Sequence, residues 1–170
     1  MAQMNEKELN RALRTGLPSG VFLLYGSDRY LVERYASLIV DRAVKGDKTF
    51  NYERVDGARI DFDHLYDSIL TLPMMAERRA VMLDDPDIDK LSAGDLDKLL
   101  QILNDAVEPT VFIIAIKQNE FLPKKSSRCR KLLEAVDRLG IAAELGDAQC
   151  GGSGSLRDEA LRCGRLYHFP

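Results

Sequence analysis

The chain has 170 residues, of which 45% are hydrophobic and 30% are charged, a composition typical of a globular protein with a single core. Its 24 basic and 27 acidic side chains give a formal net charge of −3, which disfavours a direct DNA-binding domain. No apolar run is long enough to cross a bilayer, no signal peptide is recognisable, and the three cysteines are widely spaced. These features predict a cytoplasmic protein with reduced thiols and no membrane partner.

Segments typical of helices and of strands alternate along the chain. Residues 5–14 have the spacing of a short amphipathic helix that ends before Gly16, and residues 21–25 form a continuous apolar run, as in a strand covered on both faces. Asp28 is placed as the N-cap of the next helix, whose apolar side chains recur at helical spacing up to a stop at Gly46. The later predicted elements, in chain order, are a strand over residues 50–56, a helix that Asp61 caps and that runs through Thr71, a strand over 80–83, a helix after Ser92, a strand over 110–116, a helix that begins at Ser126 or Ser127 and ends at Gly140, and a strand over 141–145.

This order of elements predicts an α/β fold, a mostly parallel five-stranded sheet with helices on both faces. In such sheets, ligands usually bind at the carboxyl ends of the strands. The pattern stops near residue 146, and Gly151, Gly152 and Gly154 then stand among serines in a composition typical of flexible linkers. We therefore predict one domain over residues 1–146 and an atypical flexible tail over residues 147–170.

A pair of methionines occupies one connection of the predicted fold. Leu72, Pro73, Met74 and Met75 follow the helix that Asp61 caps and precede the next strand. Connections favour small polar residues, so two large apolar side chains at such a position need a reason. Either they close the core over the preceding helix, or they form an apolar plug for a partner, for which the soft, unbranched thioether is suited. The residues alone favour neither interpretation.

Nucleotide chemistry would require a phosphate-binding loop after the first strand. Such a loop reads GxxxxGK[ST], because its backbone amides cradle phosphate and its lysine meets the phosphate oxygens. Here the turn reads YGSDRYL, with one glycine, no lysine, and Asp28 where a phosphate would lie. Asp84 and Asp85 follow an apolar strand in the manner of a Mg²⁺-binding pair, so a Mg²⁺-dependent nucleotide hydrolase of P-loop-like fold is the alternative function. A plain turn is the preferred interpretation, and we predict no catalytic, cofactor-binding or metal-binding residues.

Two further groups of residues have more than one interpretation. Cys129 lies between Arg128 and Arg130, which would lower the pKa of its thiol, although an incidental cysteine is the more ordinary interpretation. Arg78 and Arg79 follow the methionine pair, and they steer a partner, brace the connection or are simply solvated.

Three stretches of the chain are informative in combination. They read VFLLYGSDRYLVE at residues 21–33, NYERVDGARIDFDHL at residues 51–65 and LTLPMMAERRAVMLDD at residues 70–85. Together they resemble the N-terminal domain of the bacterial DNA polymerase III clamp-loader delta subunit family, and the resemblance extends over residues 5–145. The third stretch is the most specific, because family members have there two large apolar residues, a small residue, a polar residue, an arginine and an apolar strand.

The resemblance implies an ATPase-like (AAA+) domain that has lost its phosphate-binding loop and uses no cofactor. It implies a non-catalytic clamp-loader subunit, part of the DNA polymerase III holoenzyme, that binds and opens the sliding clamp (the beta subunit) during DNA replication. By motif position the clamp-binding residues are Leu72, Pro73, Met74 and Met75, and phenylalanine is common in the family at the last of these. Complete members continue into lid and collar domains that assemble with other clamp-loader subunits and reach DNA through the assembled complex. Residues 147–170 do not resemble that continuation.

Overall fold

The computed structural model describes residues 4–17, 20–106 and 108–146. In this part of the chain helices and strands alternate as predicted, apart from one additional short helix. The helices are α1 (Glu6–Thr15), α2 (Arg29–Ala43), α3 (Lys48–Asn51), α4 (Phe62–Leu70), α5 (Ala93–Asp105) and α6 (Ser127–Leu139). The strands are β1 (Val21–Tyr25), β2 (Tyr52–Asp56), β3 (Arg79–Asp84), β4 (Thr110–Ala115) and β5 (Ile141–Glu144). The predicted tail over residues 147–170 lies outside the described residues. None of the described helices combines the length and the hydropathy needed to cross a membrane.

The five strands form one parallel sheet in the order β2-β3-β4-β1-β5. The central strand β4 is buried at every position, as a strand must be when helices cover both of its faces. Its register places Ile113 opposite Phe22 of β1 and opposite Met82 of β3. The strand order and the parallel pairing confirm the predicted α/β class.

Side chains of the strands alternate between two cores, one on each face of the sheet. On one face, Leu23 and Phe112 pack with helices α4, α5 and α6. On the other face, Phe22 and Ile113 pack with α1 and α2. All four of these side chains are fully buried. The sheet is therefore the middle layer of three, which confirms the prediction of helices on both faces.

Four helices begin at the predicted cap residues. The side chain of each cap accepts a hydrogen bond from a backbone amide in the first helical turn, and these caps are Asp28 for α2, Asp61 for α4, Ser92 for α5 and Ser126 for α6. Helix α4 ends at Leu70 with Thr71 as its C-cap. Helix α2 ends at Ala43 rather than at Gly46, because the backbone of Val44 is already extended. The C-cap of α2, Val44, therefore lies two residues before the predicted stop at Gly46.

The predicted strand over residues 50–56 is wrong in its first part. Asp47 caps a single helical turn, α3, by accepting a 2.8 Å hydrogen bond from the backbone amide of Thr49. Strand β2 therefore begins only at Tyr52. Phe50 and Asn51 therefore belong to α3 and not to β2.

Connections divide between the two ends of the parallel strands. Residues 71–78 lead into β3, and α3 leads into β2, so both lie at the amino edge, where the strands begin. Residues 26–28 lead out of β1 and lie at the carboxyl edge, where the strands end. The methionine connection is therefore separated by a strand's length, about 17–20 Å, from the edge where sheets of this kind usually bind ligands.

Candidate partner-binding site

The connection from α4 to β3, residues 71–78 and here termed the plug loop, leaves its apolar side chains in solvent. Leu72 is 73% exposed, Met74 is 58% exposed and Met75 is 103% exposed, while Pro73 is half-buried. A side chain that closes a core is buried, so the interpretation in which the two methionines seal the core is wrong. The apolar plug for a partner stays as the prediction.

A buried asparagine holds the plug loop in place. Asn51, the last residue of α3, is 3% exposed. Its side-chain oxygen accepts a 2.7 Å hydrogen bond from the Met74 amide, and its side-chain nitrogen donates a 2.8 Å hydrogen bond to the Met74 carbonyl oxygen. The same nitrogen also donates to the Asp47 carbonyl oxygen at 3.3 Å. The loop cannot swing away from α3 without leaving a buried amide side chain unpaired, which is unfavourable.

Met75 has a backbone conformation that side chains rarely adopt. Its φ angle is 53°, in the left-handed region, and such a conformation costs about 1–3 kcal/mol for a residue other than glycine. Conformations of this kind persist only where the surrounding structure enforces them, and they concentrate at binding and catalytic sites. The two hydrogen bonds between Asn51 and the preceding residue, Met74, provide that enforcement.

Two arginines follow the methionines, and one of them braces the end of the plug loop. The Arg79 guanidinium donates to the Phe50 carbonyl oxygen at 2.8 Å and to the Glu53 carboxylate at 2.6 Å, and its side chain is only 11% exposed. Arg78 pairs with Glu108 at 3.3 Å, but that carboxylate is largely in solvent, where an ion pair contributes little. Of the three interpretations of these arginines, bracing fits Arg79.

Sequence reasoning misses Asn51 and Phe50, because it places both of them in a strand. Asp47 is the signal that could have found them, since an aspartate before a short polar segment is typical of a helix N-cap. Asparagine is also depleted in strands, so Asn51 is a second sign against a strand at this position. The structure brings Asn51 into contact with Met74, 23 residues later in the chain, and Phe50 is the residue before Asn51.

The sequence model of the family described as DNA polymerase III, delta subunit, matches residues 22–138 of this chain, which is more than half of its length. The chain belongs to this delta subunit family.

Solved structures similar to this delta-family chain include two clamp-loader or related proteins. The Bacillus subtilis DNA clamp loader delta protein has a TM-score of 0.67 and 23% identity, over 81% of this chain and 41% of that chain. A DNA polymerase III gamma subunit-related protein from Thermotoga maritima has a TM-score of 0.59 and 15% identity, over 83% of this chain and 46% of that chain. At these identities the likeness concerns the fold alone, and it agrees with the predicted α/β class. The chain thus spans less than half the length of either protein. A comparison with curated proteins finds no match.

In this delta-family chain, the turn after β1 packs closely against the residues that follow β5. The Asp28 amide donates to the Leu145 carbonyl oxygen at 3.3 Å, and the Asp28 carboxylate accepts from the Leu31 amide at 3.0 Å. Gly26 lies so close to the residue that follows β5 that an added Cβ would be 1.8 Å from the Leu145 carbonyl oxygen. A Cβ at Gly146 would be 2.6 Å from the Asp28 backbone nitrogen. The backbone amides of Asp28 and Leu31 at this turn therefore have partners within the chain itself.

Both acids of the alternative Mg²⁺ site have protein partners. Asp84 forms ion pairs with Arg54 and, at 2.6 Å, with Lys117, whose ammonium group also pairs with Glu33 at 2.6 Å. Burial acts to raise the pKa of Asp84, but the cations of Lys117 and Arg54 outweigh burial and lower it. One oxygen of Asp85 accepts hydrogen bonds of 2.7–3.2 Å from three consecutive backbone amides that begin at Lys117. These acids stabilise the carboxyl edge, and their geometry gives the nucleotide-hydrolase alternative no support.

The isolated thiol of Cys129 has no activating surroundings. The residue is fully buried, and burial raises the pKa of its thiol. The neighbouring guanidinium groups turn elsewhere, since Arg128 donates to the Asp89 carbonyl oxygen and Arg130 to the Pro123 carbonyl oxygen. A lowered pKa for this thiol is therefore wrong, and the cysteine is a core residue.

Proposed function

We propose that this chain is the part of a clamp-loader subunit that binds the sliding clamp, the beta subunit of DNA polymerase III, and helps to open it during DNA replication. The observation that supports this proposal is the presentation of Met75, whose side chain is fully exposed and whose backbone is left-handed. Strain and apolar exposure both disfavour such an arrangement in an isolated domain. A partner that buries the Met75 side chain accounts for both the strain and the apolar exposure.

Burial of apolar surface provides the binding free energy in this proposal. A methionine side chain that moves from water into an apolar cleft gains about 1.5–3 kcal/mol. Met74 is already partly buried, so its contribution is at the lower end of this range, and the two methionines together supply about 3–5 kcal/mol. Leu72 adds to the apolar surface beside them. Pro73 and the hydrogen bonds of Asn51 restrict the loop before binding, which reduces the entropy lost on association.

Opening the clamp requires more than tight binding. A ligand shifts a two-state equilibrium only by the difference between its affinities for the two states. The plug loop must therefore bind an open or distorted ring more tightly than a closed one. A rigid plug suits this task, because a cleft that changes shape as the ring opens will fit a fixed set of side chains differently in its two states.

The remaining partners concern the whole protein. The chain spans 41% of the length of the Bacillus subtilis delta protein. We propose that the complete subunit assembles with other clamp-loader subunits, reaches DNA through the assembled complex and acts within the polymerase III holoenzyme. For the domain described here we propose clamp contact without catalysis of its own.

A double substitution tests the proposal. Met74→Ala combined with Met75→Ala should weaken binding to the purified sliding clamp by at least about a hundredfold in surface plasmon resonance, because about 3–5 kcal/mol of apolar burial is lost. The thermal midpoint should stay close to that of the parent, since both side chains are exposed. Leu122→Ala is the control, because Leu122 is exposed to 38% but follows β4 at the carboxyl edge. Parental affinity in the double variant would contradict the proposal.

Opening can be measured separately from binding. A donor and an acceptor fluorophore placed on either side of one clamp subunit interface report ring opening as a loss of energy transfer. The parent chain should lower this transfer, and the double methionine variant should leave it unchanged at any concentration. A parent chain that binds the ring but leaves the transfer unchanged would contradict the opening step alone.

A further inference from the structure

Phe50 lies beside the plug loop, although it belongs to a different connection. It is on α3, two residues before Tyr52, and Tyr52 is the register partner of Ala80 in the neighbouring strand β3. Adjacent strands are about 4.8 Å apart, so the segments that lead into β2 and β3 emerge side by side at the amino edge. The Phe50 side chain is 57% exposed there.

Hydrogen bonds join Phe50 and the plug loop into one unit. The Phe50 carbonyl oxygen accepts a 2.8 Å hydrogen bond from Arg79, which follows the loop directly. The next residue, Asn51, holds both backbone polar groups of Met74 at 2.7 and 2.8 Å. The aromatic ring and the two thioethers are therefore carried by backbones that are fixed to each other, so a partner meets them together and with little ordering cost.

Exposed apolar side chains concentrate at this edge. Among the described residues, eight large hydrophobic side chains are exposed, and five of them lie at the plug loop or at the helices that flank it: Phe50, Leu70, Leu72, Met74 and Met75. Exposed apolar patches mark sites of protein–protein contact. Aromatic residues and methionine are also the types enriched in the cores of such contacts.

We propose that Phe50 is a second anchor for the sliding clamp, so that the clamp's cleft receives an aromatic ring together with the two thioethers. This inference rests on the proposed function, because it assigns a further contact residue to the same partner. The partner is the clamp rather than a second copy of this chain, because hydrogen bonds join the segment of Phe50 to the plug loop, for which the clamp is the proposed partner.

A tryptophan at position 50 reports the contact directly, because the chain contains no tryptophan. On addition of the clamp, the emission of the Phe50→Trp variant should shift to shorter wavelength, after subtraction of the spectrum of the parent chain with the clamp. Tyr30→Trp is the matched control, since Tyr30 is a 72% exposed aromatic residue at the carboxyl edge, and its emission should not shift. Phe50→Ala should weaken clamp binding at least tenfold, and Phe50→Leu should retain part of the affinity.

The outcomes separate this inference from the proposed function. Unshifted emission of Phe50→Trp, with the double methionine variant defective, would overturn the role of Phe50 and leave the plug intact. A parent chain that does not bind the clamp would overturn both. An emission shift that grows with the concentration of the chain alone, with dimers in sedimentation, would overturn the clamp as occupant in favour of a second copy. If Phe50→Ala lowers the thermal midpoint, its weaker binding could come from lost stability. The emission of Phe50→Trp then decides whether residue 50 contacts the clamp.

Discussion

Replacing Asn51 by alanine should separate the shape of the plug loop from its chemistry. Asn51→Ala leaves every apolar side chain of the loop in place but removes the 2.7 and 2.8 Å hydrogen bonds that fix Met74. One such bond contributes about 0.5–1.5 kcal/mol net, so the two together contribute about 1–3 kcal/mol. The left-handed backbone of Met75 costs a similar amount, about 1–3 kcal/mol. Without Asn51 these bonds no longer offset that strain, and we expect the loop to relax.

The effect on binding follows from the fraction of chains that keep the binding conformation. The apparent dissociation constant rises in inverse proportion to that fraction. A loss of about 2 kcal/mol corresponds to about a thirtyfold change, since about 1.4 kcal/mol is a factor of ten. Asn51→Ala should therefore weaken clamp binding about tenfold to a hundredfold, less than the double methionine substitution, because the apolar side chains are still present.

Two measurements test this reasoning together. Hydrogen exchange by NMR should show the Met74 amide protected in the parent and fast-exchanging in Asn51→Ala, while surface plasmon resonance measures clamp affinity. Asn104→Ala is a matched control, since Asn104 is an exposed asparagine of α5 whose side chain also donates a 2.8 Å hydrogen bond to a carbonyl oxygen. If the Met74 amide loses its protection and the affinity stays parental, loop shape is not what the clamp recognises.

Two further predictions concern the carboxyl edge. Gly26→Ala should lower the free energy of unfolding by about 2–6 kcal/mol, because it adds backbone strain and a Cβ at 1.8 Å from the Leu145 carbonyl oxygen. Gly46→Ala is the control, because it adds backbone strain but no neighbour lies within 4 Å. Urea unfolding should show a smaller loss of unfolding free energy for Gly46→Ala than for Gly26→Ala. Equal losses would contradict the role of the close approach to Leu145. Burial acts to raise the pKa of Asp84, but Lys117 and Arg54 together outweigh burial and lower the pKa. The stability from these ion pairs is therefore present above about pH 4 and is lost as pH falls through the lowered value. Asp84→Asn should flatten the fall of the urea midpoint between about pH 5 and about pH 2, and an unchanged slope would refute this assignment.

The centre of the sheet was predictable because two of its strands, β1 and β4, are mostly apolar runs. Residues 21–25 and 110–115 are buried at every position, and only a strand covered on both faces accommodates that many consecutive apolar side chains in so short a segment. Cap residues such as Asp28 and Ser126 located the helices, because their side chains satisfy amides that the first helical turn leaves free. The order of these elements then leaves few topologies other than the observed one.

The methionine pair could be singled out from the sequence, but its exposure to solvent could not. The motif order at residues 70–85 indicates the methionine pair, whereas the residues themselves are equally compatible with a core lid. Exposure decided between the two interpretations, and exposure depends on where Asn51 holds the loop. A hydrogen bond between residues that are 23 positions apart has no local signature. Asn51 and Phe50 were missed because α3 was read as part of a strand, although its N-cap Asp47 is a local signal for a helical turn.

The choice of methionine at the tip has a chemical consequence of its own. Peroxides convert a thioether into a sulfoxide, and accessible methionines react more readily than buried ones. Met75 stands fully in solvent, whereas Met82 in the core is 3% exposed. An oxygen atom added to Met75 would make the side chain polar and would oppose its transfer into an apolar cleft, until a reductase removed it. The exposure that offers this residue to a partner thus also subjects it to the oxidation state of the cell, a sensitivity that leucine at the same position would not have.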